Sequence, residues 1–251
     1  MRTERWTDDR RTALAAGVLF LITFLASIPA LALFQPVLDD PAGYIAGGGQ
    51  EGRILLGVAL EMILILANIG TAVVLYPVLR RRSEALSMAY IGARIVESTF
   101  IAVGIVTVLG IVSLGHDDPS ASSLAVSLAA MKDWTFLLGP GLMAPIGNGI
   151  ILGVLLYRAG LVPRRMAMLG MAGGALLVVA GMGVLSGGIE AGGTVQSLAT
   201  APEFVWELFL GVYLTVVGVS AAGSRTPRAR RGAATGAPDR RPGGGATAAT
   251  R

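Results

Sequence analysis

Six long apolar stretches leave this chain few ways to fold. They run from Thr12 to Phe34, Arg53 to Leu79, Ala85 to Leu114, Trp134 to Tyr157, Met166 to Ser186 and Pro202 to Ala222. A helix needs about 20 apolar residues to cross the hydrocarbon core of a bilayer. Lipid offers the backbone no hydrogen-bond partner, so such segments are read as helices, which bond their own N–H and C=O groups. The expected fold class is all-α: a polytopic membrane protein built as a bundle of six transmembrane helices. Only 14% of the 251 residues are charged, against about 25% in an ordinary soluble domain, and a bilayer is the solvent that rejects charge. The fourth stretch is the least regular, because Gly139, Pro140, Gly141 and Pro145 weaken or kink a helix.

The connections alternate in charge. Arg2, Arg5, Arg10 and Arg11 precede the first stretch. Arg80, Arg81 and Arg82 follow the second, and Arg158, Arg164 and Arg165 follow the fourth. Arg225, Arg228, Arg230, Arg231, Arg240, Arg241 and Arg251 occupy the tail. The opposite connections hold Arg53 and Lys132 among the acids Asp39, Asp40, Glu51, Asp117, Asp118, Asp133 and Glu190. Basic residues collect on the cytoplasmic side, so both termini are expected there. The aromatic residues Trp6, Phe34, Trp134, Tyr157 and Trp206 sit near the expected interfaces, as an aromatic belt would. Arg10-Arg11 and Ala30-Leu31-Ala32 imitate a secretory signal, whose apolar core is about 7–15 residues; the longer run here, with five more behind it, is read as a span.

Three segments follow: a short basic cytoplasmic N-terminus (1–11), a six-span domain (12–222), and an Arg/Gly/Ala-rich cytoplasmic tail (223–251) that lacks the apolar surface to fold alone. The tail reads as a solvated end or as an electrostatic tether to anionic lipids. The bilayer is the expected partner. The net charge of +4 follows the orientation rule and is not read as a nucleic-acid surface. Arginine far outnumbers lysine in an Ala- and Gly-rich chain, a composition that suggests a G+C-rich bacterial genome and hence the bacterial inner membrane. No cysteine and one histidine exclude a disulfide framework, a thiol nucleophile and a multi-histidine metal site. No metal or cofactor is expected. His116-Asp117-Asp118 before Pro119 is read as turn chemistry. No HExxH, GxSxG or phosphate-cradling loop occurs, so no catalytic residue is named.

An ionisable residue inside a span is costly and is a functional candidate by default. Glu61, Arg94, Glu97 and Glu207 form the candidate buried polar cluster, with Asn68 and Asn148 as secondary polar positions. Arg94 and Glu97 are spaced i, i+3 and share a helix face. At 1.5 Å per residue, Glu61 comes to the level of Glu97, so Arg94 is expected to bridge the two, with Glu207 joining from the last span. Glu203 is placed at the outer interface, where an acid is ordinary. The cluster reads as a site for a small molecule or ion, bound or transported. It also reads as a packing device that fixes helix register, in a structural or accessory protein. A membrane enzyme acting on a lipid is a third reading. Substrate and oligomeric state are not legible. The glycines and prolines of the fourth stretch read either as a kinked, closely packed helix or as the broken helix of a transporter.

Three segments carry a resemblance. Arg94-Ile95-Val96-Glu97 resembles an Arg-x-x-Glu pattern. Leu156 through Arg164 resembles a Tyr-Arg-Ser-Gly-Phe-Ile-Pro-Arg connection, with Ala159 in place of the usual Ser. Pro202 through Gly218, with Glu207, resembles a final Pro…Glu…Gly span. In their order and spacing they resemble the bacterial membrane family catalogued as domain of unknown function 4386, over residues 10 to 222. The resemblance implies a six-span integral membrane protein and implies no activity.

Overall fold

A computed structural model describes residues 2–48, 50–118 and 120–218, with side chains placed from residue 9 onward apart from residue 48. The tail read as a solvated end or lipid tether lies outside the described residues. Every long element is helical, and no strand occurs among the described residues. The helices are α1 (Arg2–Asp39), the short α2 (Pro41–Gly43), α3 (Glu51–Leu79), α4 (Glu84–Asp117), α5 (Ser122–Leu138), α6 (Gly153–Ala159), α7 (Arg164–Leu185) and α8 (Thr194–Val216). Among the described residues five segments are long and apolar enough to cross a membrane: Asp9–Asp39, Glu51–Leu79, Glu84–Asp117, Ser122–Ala159 and Arg164–Leu185. Helix α8 has 23 residues, and Glu203 and Glu207 within it hold its hydropathy below theirs.

The fourth segment departs from the sequence reading at its start. It begins at Ser122 rather than Trp134, and α5 and α6 are joined by π-helical turns over Gly139–Met143 and Pro145–Leu152. The glycines and prolines widen the helix without breaking it. The window average starts the fourth apolar run only after Lys132-Asp133, but both residues lie inside α5. Local signals set other ends. Ser83 caps α4 by accepting a hydrogen bond from the Leu86 amide at 3.3 Å, satisfying one of the free N–H groups of the first turn. Gly160 ends α6 in the left-handed region (φ 63°), which glycine adopts without a Cβ penalty.

The helices close a ring. α1 packs on α3 and α8, α3 on α4, α4 on α5 and the π-helical stretch, that stretch on α7, and α7 on α8. Gly17 of α1 meets Thr215, while Phe24 meets Phe204 edge-on at 5.1 Å, so α1 and α8 run antiparallel. One end of the bundle, called the termini end, holds the beginning of α1, the end of α8 and the arginines of both short connections. The far end holds Asp39, Asp40, Glu51 and Glu190.

The ring is filled unequally. At the termini end a continuous apolar core fills the axis: Phe20, Leu75, Tyr90, Leu152, Leu155, Leu156, Trp206, Leu210 and Leu214 are all essentially inaccessible. At the far end the apolar contacts divide into a cluster shared by α1, α3, α4 and α5, around Phe34, Val108 and Ile111, and a smaller one between α7 and α8, around Leu177 and Ala199. The polar site lies above the continuous core and between these two clusters.

A charged chamber at the candidate functional site

Arg94 is 2% exposed, and all three nitrogens of its guanidinium donate hydrogen bonds. Nη1 donates to Glu97 Oε2 at 2.6 Å, Nη2 to the side-chain oxygen of Asn68, and Nε to the Asn68 carbonyl at 3.5 Å. Asn68 Nδ2 in turn donates to Glu97 Oε1 at 3.0 Å. The three side chains close a triangle between α3 and α4, and both Glu97 oxygens are bonded. The planar fork of Arg suits this use, since its donors are fixed in one plane. A buried charge is tolerated when paired and hydrogen-bonded in this way.

Glu61 does not join that triangle. The expected bridge from Arg94 is corrected: Glu61 accepts both its bonds from Lys132, whose Nζ lies 2.6 Å from Oε1 and 2.8 Å from Oε2. Lys132 was read as an external charge, yet it is 5% exposed. The earlier start of α5 is the reason. Counted at about 1.5 Å per residue from Glu51 and from Ser122, both partners lie roughly 15 Å from the far end. The ammonium also sits 4.9 Å from the centre of the Phe34 ring, within reach of a cation–π contact. Gly104 makes room for it, because a Cβ there would lie 3.0 Å from Nζ.

The third group gathers on Asn148, inside the π-helical stretch. Its Nδ2 donates to Glu207 Oε1 at 2.5 Å, its Oδ1 accepts from the Tyr90 hydroxyl at 3.0 Å, and its backbone carbonyl accepts from the Trp206 indole at 3.0 Å. Such widened turns are frequent at functional sites. Glu203 corrects a second expectation. It is 4% exposed, and neither carboxylate oxygen has a hydrogen-bond partner among the described residues. Helix α8 starts at Thr194, so Glu203 lies about 13 Å inside the far end. Its carboxyl group rests on Gly149, where a Cβ would stand 2.6 and 2.8 Å from its oxygens.

All three groups line one cavity of about 260 Å³. Its wall includes Glu61, Asn68, Arg94, Glu97, Lys132, Glu203 and Glu207, with Phe24, Phe34, Phe136 and Phe204. Among the lining residues Ile28, Leu31, Phe136 and Phe204 are 53%, 45%, 47% and 43% exposed and Thr200 is exposed with them, so they mark a mainly apolar mouth between α1, α5 and α8. The predicted positions Glu61, Asn68, Arg94, Glu97 and Glu207 thus face one space, though as three bonded groups. Asn148 reaches it through Glu207. Lys132 and Glu203 are the additions.

No group of three His, Cys, Asp or Glu side chains is placed to hold a metal among the described residues. Asp118 accepts from the Ser120 amide and hydroxyl at 3.1 and 2.5 Å, and His116 contacts Glu51 at 3.2 Å; both are connections at the far end.

The family described as "Domain of unknown function (DUF4386)" matches residues 15–218. No curated protein and no solved structure matches the chain.

Proposed function

The chain belongs to the DUF4386 family, whose description names no activity, and from the geometry of its core we propose a six-span protein of the bacterial inner membrane that takes a small molecule or ion into an intramembrane chamber. Both termini lie in the cytoplasm on this reading, with α8 as the sixth span. The charge asymmetry supports that orientation: Arg80, Arg81, Arg82, Arg158, Arg164 and Arg165 lie at the termini end, and the far end is acidic. The segments 12–222 and 223–251 are then a membrane domain and a cytoplasmic tail.

The hollow itself carries the functional reading. Buried charges that serve packing alone are expected in contact with one another in a filled interior, because a void forfeits the dispersion contacts of its lining. Here four carboxylates and two cations surround about 260 Å³ of space, close to the lower end of ligand sites, at roughly 300 Å³. Intramembrane ionisable groups facing a cavity are typical of ion and substrate paths.

Accessibility tests this. The chain has no cysteine, so Ser27→Cys on the cavity wall and Leu155→Cys in the apolar core can each be exposed to a small membrane-impermeant thiol reagent. Ser27→Cys is expected to react and Leu155→Cys to stay silent. Equal silence in both folded variants means a dry, structural cluster and overturns the proposal. The lateral mouth favours a second reading, chemistry on a membrane lipid, for which Glu203 and Glu207 stand beside the opening. Lipid turnover by the purified protein, lost in Glu207→Gln, is its test.

A further inference from the structure

The six charged side chains around the chamber do not balance. Arg94 is committed to Glu97 and Asn68, and Lys132 to Glu61. Glu207 receives a hydrogen bond from the neutral amide of Asn148. Glu203 receives none among the described residues. These last two acids are i, i+4 on α8 and therefore neighbours on one face, with no cationic side chain among the described residues bonded to either. A low-dielectric interior makes an uncompensated carboxylate costly. Added positive charge, as a proton or a ligand, relieves that cost.

The rest of the wall indicates what kind of charge. Among the described residues no set of acids converges as metal ligands do. The remaining surface is largely aromatic and aliphatic, and Phe24, Phe136 and Phe204 line the same cavity as the acids. The chamber also seats one ammonium already: Lys132 lies between the Glu61 carboxylate and the Phe34 ring. A carboxylate on one side and an aromatic face on the other is the arrangement that recognises organic ammonium groups. The apolar mouth admits a molecule with an apolar body.

We propose that the chamber binds a small monovalent organic cation carrying an apolar body, with Glu203 as its counter-charge and the phenylalanine rings as its walls. This rests on the reading of the chamber as a ligand site, and its test separates the two. The full chain carrying Ser27→Cys is reconstituted, and three compounds of one shape compete with thiol labelling: benzyltrimethylammonium, its neutral carbon isostere neopentylbenzene, and phenylmethanesulfonate as the anion. The cation is expected to protect at concentrations about tenfold or more below the neutral compound, a margin within the range of a desolvated cation–π contact. The anion is expected to protect worst. Glu203→Gln, which removes the charge and keeps the shape, is expected to abolish the cation's advantage.

Equal protection by cation and neutral isostere, protection by the anion, or an advantage that survives Glu203→Gln overturns the assignment while leaving the chamber a ligand site. A labelled thiol that no compound protects also overturns it. A thiol that never reacts removes the chamber reading, and this one with it. The comparison of the three compounds stands without the Glu203 variant should that variant fail to fold.

Discussion

The ammonium of Lys132 lies 2.6 and 2.8 Å from the two carboxylate oxygens of Glu61 and 4.9 Å from the centre of the Phe34 ring. This joins α5 to α3 across the mouth side of the chamber, where helix α1 contributes Phe34. Removing one member of a buried pair leaves an unmatched charge, at a cost of about 3–5 kcal/mol. Lys132→Met is therefore expected to lower the thermal midpoint of the detergent-solubilised protein sharply. The double variant Lys132→Met with Glu61→Gln is expected to recover most of the loss. Additive effects in that cycle would mean the two side chains are not coupled.

The triangle of Arg94, Glu97 and Asn68 depends on a planar donor. Arg94→Lys keeps the charge but cannot address Glu97 and both oxygens of Asn68 at once. It is expected to destabilise the protein nearly as much as Arg94→Ala, whereas Asn68→Ala costs about 1–3 kcal/mol for the bonds it leaves unmade. Unfolding midpoints of the three variants give the ranking, and a wild-type midpoint for Arg94→Lys would refute the geometry.

Gly149 is where span four meets α7. A Cβ there would lie 2.7 Å from the Gly174 Cα and 2.6 Å from Glu203 Oε2, and backbone cannot yield. Gly149→Ala is expected to cost about 1–3 kcal/mol through overpacking. The control is Gly92→Ala on the outer surface of α4, where a Cβ meets nothing within 4 Å. That change is expected to stabilise by about 0.5–1 kcal/mol, since alanine favours a helix interior. Thermal unfolding of the pair checks the difference in sign.

Topology has its own test. Ser120→Cys lies in the connection between α4 and α5 at the far end, and Arg82→Cys between α3 and α4 at the termini end. In intact cells an impermeant thiol reagent is expected to label Ser120→Cys alone, with Arg82→Cys reacting only after lysis. The reverse pattern would invert the orientation proposed for the bundle.

The all-helical, membrane-type fold was legible because hydropathy is a property of whole windows, and a stretch of twenty apolar residues tolerates error at its ends. The charge asymmetry was legible for the same reason. Arg94 and Glu97 were legible because i, i+3 spacing survives any shift of helix boundary. Partner choice across helices was not. It depends on where each helix starts, and in two cases polar residues hid that start. Lys132 and Asp133 look like a loop in a window average, yet adjacent helical positions point in different directions: Lys132 is buried and Asp133 exposed. Thr194 to Thr200 likewise lowered the apparent entry of α8, and so Glu203 was placed at the surface. The signal that could have found Lys132 is its solitude, as the chain's one lysine in a sequence that otherwise uses arginine for surface charge.

The apolar core at the termini end makes the chamber blind. Leu152, Leu155 and Leu156 belong to the core beneath it, so on the proposed reading a solute that entered in this state would leave by the door it used. Net passage would require α6 to swing out of the axis. The contact of Gly149 with Gly174 and that of Gly153 with Met171 fasten span four to α7 along its length. The two would have to travel as one body, parting from α4 and α8, on which they pack. On the proposed reading the chain as it stands would be a receptacle, and the moving part that would turn it into a conduit would be a helix pair rather than a side chain.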